Sequence, residues 1–108
     1  MTDIEQFEHI NSLLLSYGEL LSESQKDVLS CYYSFNLSIS EIASERNVSR
    51  AAIEDALKKG VKKLEEYEQV LKMNEKRENI LKITAKIKQN NEYKEDIEEI
   101  ERILIDGI

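Results

Sequence analysis

The chain has 108 residues, 41% hydrophobic and 34% charged, with no proline, three glycines and a net charge of −7. That length suits one domain, and so few breakers among so many charged residues argue for long helices, because an interior Pro or Gly would cost about 3 or 1 kcal/mol. Aromatic residues are sparse and β-branched runs short, which leaves no case for a sheet; the expected class is all-α.

A first helix is expected over Asp3–Tyr17, with Ile4, Phe7 and Leu14 on one stripe and Gly18 at its C-cap. Ser22 and Gln25 then form a capping-box pattern, each side chain able to satisfy the other's orphan amide, ahead of the stripe Val28, Leu29, Tyr32 and Tyr33. Phe35, Asn36 and Leu37 read as a turn, with Asn36 the residue best suited to a left-handed conformation. Ser38 and Glu41 repeat the capping signal for a short third helix that ends near Arg46. Asn47 and Val48 make a tight turn, and Ser49 caps a fourth helix carrying Ile53, Leu57, Val61, Leu64 and Leu71 past Met73. Its end is left open between Asn74 and Gln89. Asn90 and Asn91 break the pattern before a last, acid-rich helix over 92–105. Two regions follow, 1–75 as the main domain and 76–108 as a helical extension packing on that domain or on a second subunit.

Charge is unevenly distributed. Residues 1–37 hold one Lys against six acids, whereas 50–63 hold Arg50, Lys58, Lys59, Lys62 and Lys63 against Glu54 and Asp55, a local +3. Two short helices joined by a tight turn, with a longer one entered through Ser, are what a helix-turn-helix requires. Ala43 is small where the helices should cross, Val48 and Ile53 should plug the angle between them, and Ile39, Ile42, Leu57 and Val61 should complete a small core. Ser49 would leave the positive end of the second helix open to a phosphate.

Residues 21–67 resemble the fourth-region helix-turn-helix of bacterial sigma factors, through Leu37, Ser38, Glu41, Ile42 and Ala43, then "NVSRAAI", then the Lys-rich tail running into "KKLEEYEQVL". The larger arrangement over most of 4–75, including the tyrosine pair, "SEIA", "NVSR" and "LEEYE" in that order, resembles the small YlxM-like proteins of low-GC Gram-positive bacteria and mycoplasmas. The resemblance implies a sigma-like helix-turn-helix with a helical extension, and a link to the signal recognition particle pathway. It also implies that the first turns of the second motif helix enter a major groove. The outward positions are then Ser49, Arg50, Ala51, Glu54, Asp55 and Lys58, with Lys59 and Lys62 on phosphates further along. Arg50 suits a guanine edge or a phosphate, a bidentate guanine pair giving about 1–3 kcal/mol of discrimination. Glu54 and Asp55 weigh against a phosphate partner unless the lysines one turn on pair with them at i, i+4 spacing.

No constellation suggests catalysis. His9 has no second histidine or cysteine near it for a zinc site, and Cys31 has no base nearby and reads as a buried small hydrophobe. The three glycines stand apart, so there is no phosphate-binding loop. Neither an enzyme nor a cofactor is expected. One cysteine allows no internal disulfide and fits a reducing compartment. No run approaches the roughly 18 apolar residues of a membrane span, and the early acids are unlike a signal peptide, so a cytoplasmic protein without membrane insertion is expected. Leu64 and Leu71, with Ile80, Ile83 and Ile87, form apolar positions that a second copy would cover, which suggests a homodimer. The reading is a regulatory protein that binds DNA or the structured RNA of the signal recognition particle. The alternative is an adaptor that keeps the helix-turn-helix shape and docks on signal recognition particle proteins, such as its GTPase, or on a polymerase.

Overall fold

A computed structural model describes residues 2–106, apart from the side chains of residues 91 and 106. Among the described residues every regular element is helical. In chain order these are α1 (Asp3–Tyr17), a 3₁₀ turn (Gly18–Leu20), α2 (Glu23–Leu29) running on into a π-helical turn (Ser30–Ser34), α3 (Ile39–Arg46), α4 (Arg50–Leu71), α5 (Met73–Lys88), a second 3₁₀ turn (Asn91–Tyr93) and α6 (Lys94–Asp106). The chain divides into two compact units, residues 1–72 and 73–108.

The helix starts follow from local chemistry. Thr2 with Glu5, Ser22 with Gln25 and Ser38 with Glu41 each form a complete capping box, and the Ser49 hydroxyl accepts from the Ala52 amide at 3.0 Å. Each such cap contributes about 1 kcal/mol by satisfying an amide that the helix cannot. The ends follow backbone conformation. Asn36 and Asn47 both sit at φ 57°, where asparagine is tolerated better than most residues. Lys72 adopts φ 54° and ends α4, its amide closing on the Glu68 carbonyl at 2.9 Å. The long helix therefore stops before Asn74 and does not run on to Gln89. Gly18 occupies the expected C-cap but stays right-handed at φ −54°, because it opens a 3₁₀ turn.

In the first unit, α4 is the central strut against which α1, α2 and α3 pack. Its inner face carries Ile53, Leu57, Gly60 and Leu64, which join Ile10, Leu13 and Tyr17 of α1, Val28 and Leu29 of α2, and Ile42 and Ala43 of α3 in one buried cluster. At Gly60 α4 packs tightly on α2, since an added Cβ would lie 2.7 Å from Leu29 Cδ1. Two expectations need correction here. Val48 remains 46% exposed, since the left-handed Asn47 turns it toward the surface, while Ile53 is buried among the core residues. Leu64, expected at a dimer interface, is fully buried in this core because it continues the Ile53–Leu57 stripe.

The π-helical turn was not foreseen. The Phe35 amide reaches back five residues to the Ser30 carbonyl at 3.0 Å, and the Leu37 amide reaches Cys31 at 2.9 Å. Asn11 of α1 donates to the Tyr33 carbonyl at 2.9 Å and accepts from the Ser34 hydroxyl at 2.7 Å, so a neighbouring helix satisfies the widened turn. Tyr32 and Tyr33 then meet Phe7 with ring centroids 5.4 and 4.9 Å away, and both stay half-buried.

In the second unit, α5 and α6 pack on each other. Ile97 is buried, and so is Thr84, whose hydroxyl donates to Glu101 Oε2 at 2.8 Å while Lys88 Nζ donates to Glu101 Oε1 at 2.7 Å. Ile80, Ile83 and Ile87 of α5 are exposed, as are Ile100 and Ile103 of α6.

Candidate nucleic-acid interface

Helix α4 divides its residues between two faces by helical spacing. Positions 53, 57, 60 and 64 point into the core with Ala56 and Val61 at its margin, so the positions on the opposite side point out. Ser49, Arg50, Ala51, Glu54, Asp55, Lys58, Lys59 and Lys62 are accordingly all exposed. The face expected from the sequence is therefore presented as one surface by a helix whose back is locked into the core.

Its N-terminus carries groups that can hydrogen-bond an anion. Ser49 uses an oxygen lone pair to cap Ala52 and keeps its own proton to donate. The first amides of α4 lie at the positive end of the helix dipole, where a phosphate oxygen is favoured. Arg50 is the first residue beyond the cap, and Lys58 and Lys62 follow along the exposed side. Among the described residues, none of these three takes part in an ion pair.

The two acids on this face behave differently. Asp55 Oδ2 pairs with Lys59 Nζ at 2.9 Å across one helical turn, which offsets its charge toward an approaching phosphate. The pair is exposed and adds well under 1 kcal/mol to stability, so its effect is on the local field. Glu54 has no such partner among the described residues and remains the one uncompensated acid beside Arg50.

One basic group near the site was missed. Arg46, the last residue of α3, is ion-paired with Asp27 of α2 and borders a shallow cleft of about 360 Å³ with Ser24, Val48 and Ala52 at the head of α4. Its partner is nineteen residues away, so no local spacing could have announced the pair. The remaining reactive side chains are occupied or muted. His9 lies 2.8 Å from Glu65 of α4, and Cys31 is half-buried, with burial pushing its thiol above the usual range and away from the thiolate that nucleophilic chemistry needs. Burial also raises the Tyr33 hydroxyl. Among the described residues no three His, Cys, Asp or Glu side chains gather as a metal site, and no helix is long and apolar enough to cross a membrane.

Comparison with known proteins agrees with a helix-turn-helix. The family model described as "Putative helix-turn-helix protein, YlxM / p13 like" matches residues 4–103. A UPF0122 protein of Fusobacterium nucleatum is 42% identical over 97 residues, spanning 90% of this chain and 93% of the relative. UPF0122 proteins of Bacillus cereus and Bacillus anthracis are each 36% identical over 108 residues, spanning 93% of this chain and 98% of theirs.

Proposed function

Since the chain belongs to the YlxM / p13-like helix-turn-helix family, we propose that it is a nucleic-acid-binding regulatory protein, not an enzyme, that works in the cytoplasm through the outer face of α4. The observation that carries this reading is the exposed row Ser49, Arg50, Lys58 and Lys62 on a helix whose opposite side is core. Arg50 meets a base edge or phosphate, Ser49 and the first amides of α4 meet a phosphate, and Lys58 and Lys62 follow the backbone beyond. Ala51 leaves room for close approach, Lys59 offsets Asp55, and Glu54 disfavours bases that offer no amino donor. The resemblance of residues 21–67 to the sigma fourth region favours promoter DNA. The YlxM-like resemblance favours the signal recognition particle pathway and its RNA, and with it contacts to that particle's proteins. A homodimer through the exposed Leu71, Ile80, Ile83 and Ile87 belongs to the same reading, with Leu64 removed from the set.

Fluorescence anisotropy against duplex DNA and against a signal recognition particle RNA hairpin, at low and physiological salt, tests it. Phosphate neutralisation makes affinity fall steeply with salt. Arg50→Glu is expected to weaken binding by about tenfold or more, since one good Arg contact is worth about 1–3 kcal/mol. Unchanged affinity would remove Arg50 from the site, and no binding to either ligand at low salt would end the nucleic-acid reading. Sedimentation of the wild type against Ile83→Glu checks the dimer.

A further inference from the structure

The acids of the first 37 residues differ in what they do. Glu5 closes a capping box, Glu19 pairs with Lys26, and Asp27 pairs with Arg46. Asp3 and Glu8, on the outer side of α1, take part in no ion pair among the described residues. They flank a shallow, open cleft of about 310 Å³ lined by Asp3, Ile4, Phe7, Glu8, Asn11 and Asn36. Ile4 is 73% exposed beside it, a large aliphatic side chain left in water. The cleft is also held in shape. Phe7 is braced by the rings of Tyr32 and Tyr33, Asn11 is tied to the π-helical turn, and Asn36 is fixed in its left-handed conformation.

We infer that this cleft is a docking surface for a basic, aliphatic segment of a partner protein, one that presents arginine or lysine beside leucine-like side chains. Charge selects the occupant. Residues 1–37 carry a net −5, from six acids and one lysine, which repels the phosphates of any nucleic acid. A purely apolar segment would cover Ile4 and Phe7 but leave Asp3 and Glu8 facing a neutral surface. An arginine or lysine lays its apolar stem over Ile4 and Phe7 and sets its charged head against the two carboxylates, satisfying both features at once. A guanidinium over the Phe7 ring gains further attraction. The opposite charge of 50–63, a local +3, keeps the two surfaces from competing for one ligand. The cleft takes such a segment whichever ligand α4 holds.

The test uses the full chain, labelled for amide NMR, and three synthetic helical peptides at physiological salt. One places Arg and Leu along one face, the second replaces Leu with Ser, and the third replaces Arg with Glu. Only the first is expected to bind, with shifts confined to residues 3–11 and 35–36. Ile4→Glu and Glu8→Lys are each expected to weaken it by about tenfold or more. Both side chains are exposed, so the fold should persist, which far-UV circular dichroism checks. Equal binding of the Ser peptide, shifts mapping to other residues, unchanged affinity of Ile4→Glu, or no binding by any of the three would overturn the assignment.

Discussion

Residues 1–72 and residues 73–108 are built from the same materials, amphipathic helices rich in Lys, Glu, Leu and Ile, yet they bury them differently. In the first unit three helices converge on α4, and each turns its apolar stripe onto a shared centre, so Leu13, Leu29 and Leu64 lose all contact with water. In the second, α5 and α6 have each other, and two helices can cover only one side of one another. Its middle is held by Ile97 together with the Thr84–Glu101–Lys88 network, while Ile80, Ile83, Ile87, Ile100 and Ile103 remain exposed. Helix-forming sequence is thus common to both units, and the number of helices meeting at one place decides which of them closes a core.

Three measurements break or sharpen that contrast. The largest effect is expected at Leu64, which one reading of the sequence would place against a second copy. Leu64→Ala should cost about 2–5 kcal/mol, because truncation in a closed core leaves a cavity. In a unit of this size each kcal/mol lowers the melting temperature by about 4–8 °C, which circular dichroism resolves. A variant that kept its melting temperature and lost only self-association would return Leu64 to the interface.

Gly60→Ala comes next. Alanine favours a helix over glycine by about 1 kcal/mol, but the new methyl would lie 2.7 Å from Leu29 Cδ1, and Leu29 is fully buried with little room to move. Overpacking typically costs about 1–3 kcal/mol, so a net loss is expected in urea denaturation. A gain in stability would show that α2 and α4 can separate at that crossing.

The smallest effect belongs to the second unit and depends on pH. The Lys88 hydrogen bond, and then that of Thr84, hold the Glu101 carboxyl below its usual range, so its contribution is present above the unfolded value and fades as pH falls through the lowered one. The Glu101 hydrogen bond raises Lys88, whose contribution is complete below the usual lysine value and fades as pH rises through the raised one. Amide protection factors of residues 84–101, with the intrinsic base-catalysed exchange divided out, should therefore be highest near neutrality and lower at both extremes. Glu101→Gln should remove most of that dependence, and a profile unchanged in the variant would show that the network does not hold the hairpin.

Much of the molecule was legible beforehand because it rests on neighbours in sequence. The capping boxes at Ser22 and Ser38, the Ser49 cap, the left-handed Asn36 and the tight turn at Asn47 involve partners within about four residues, and local chemistry specifies them. The exposed face of α4 was legible for the same reason: a buried stripe of known period implies its complement. The π-helical turn was not, since it depends on Asn11 reaching across from α1, and neither was the end of α4 at Lys72, a residue with no special liking for a left-handed backbone.

By itself, then, the sequence determined the starts of α1 to α4, two of the turns, the helical class and which side of α4 faces out, all consequences of local hydrogen bonding and of a 3.6-residue period. Only the tertiary structure decided that Leu64 is core, that Val48 is surface, that Asp27 holds Arg46, and that Asn36 closes a cleft beside Ile4, Phe7 and two carboxylates of α1. Those facts depend on which distant helices meet, and distance along the chain carries no information about that until the chain has packed.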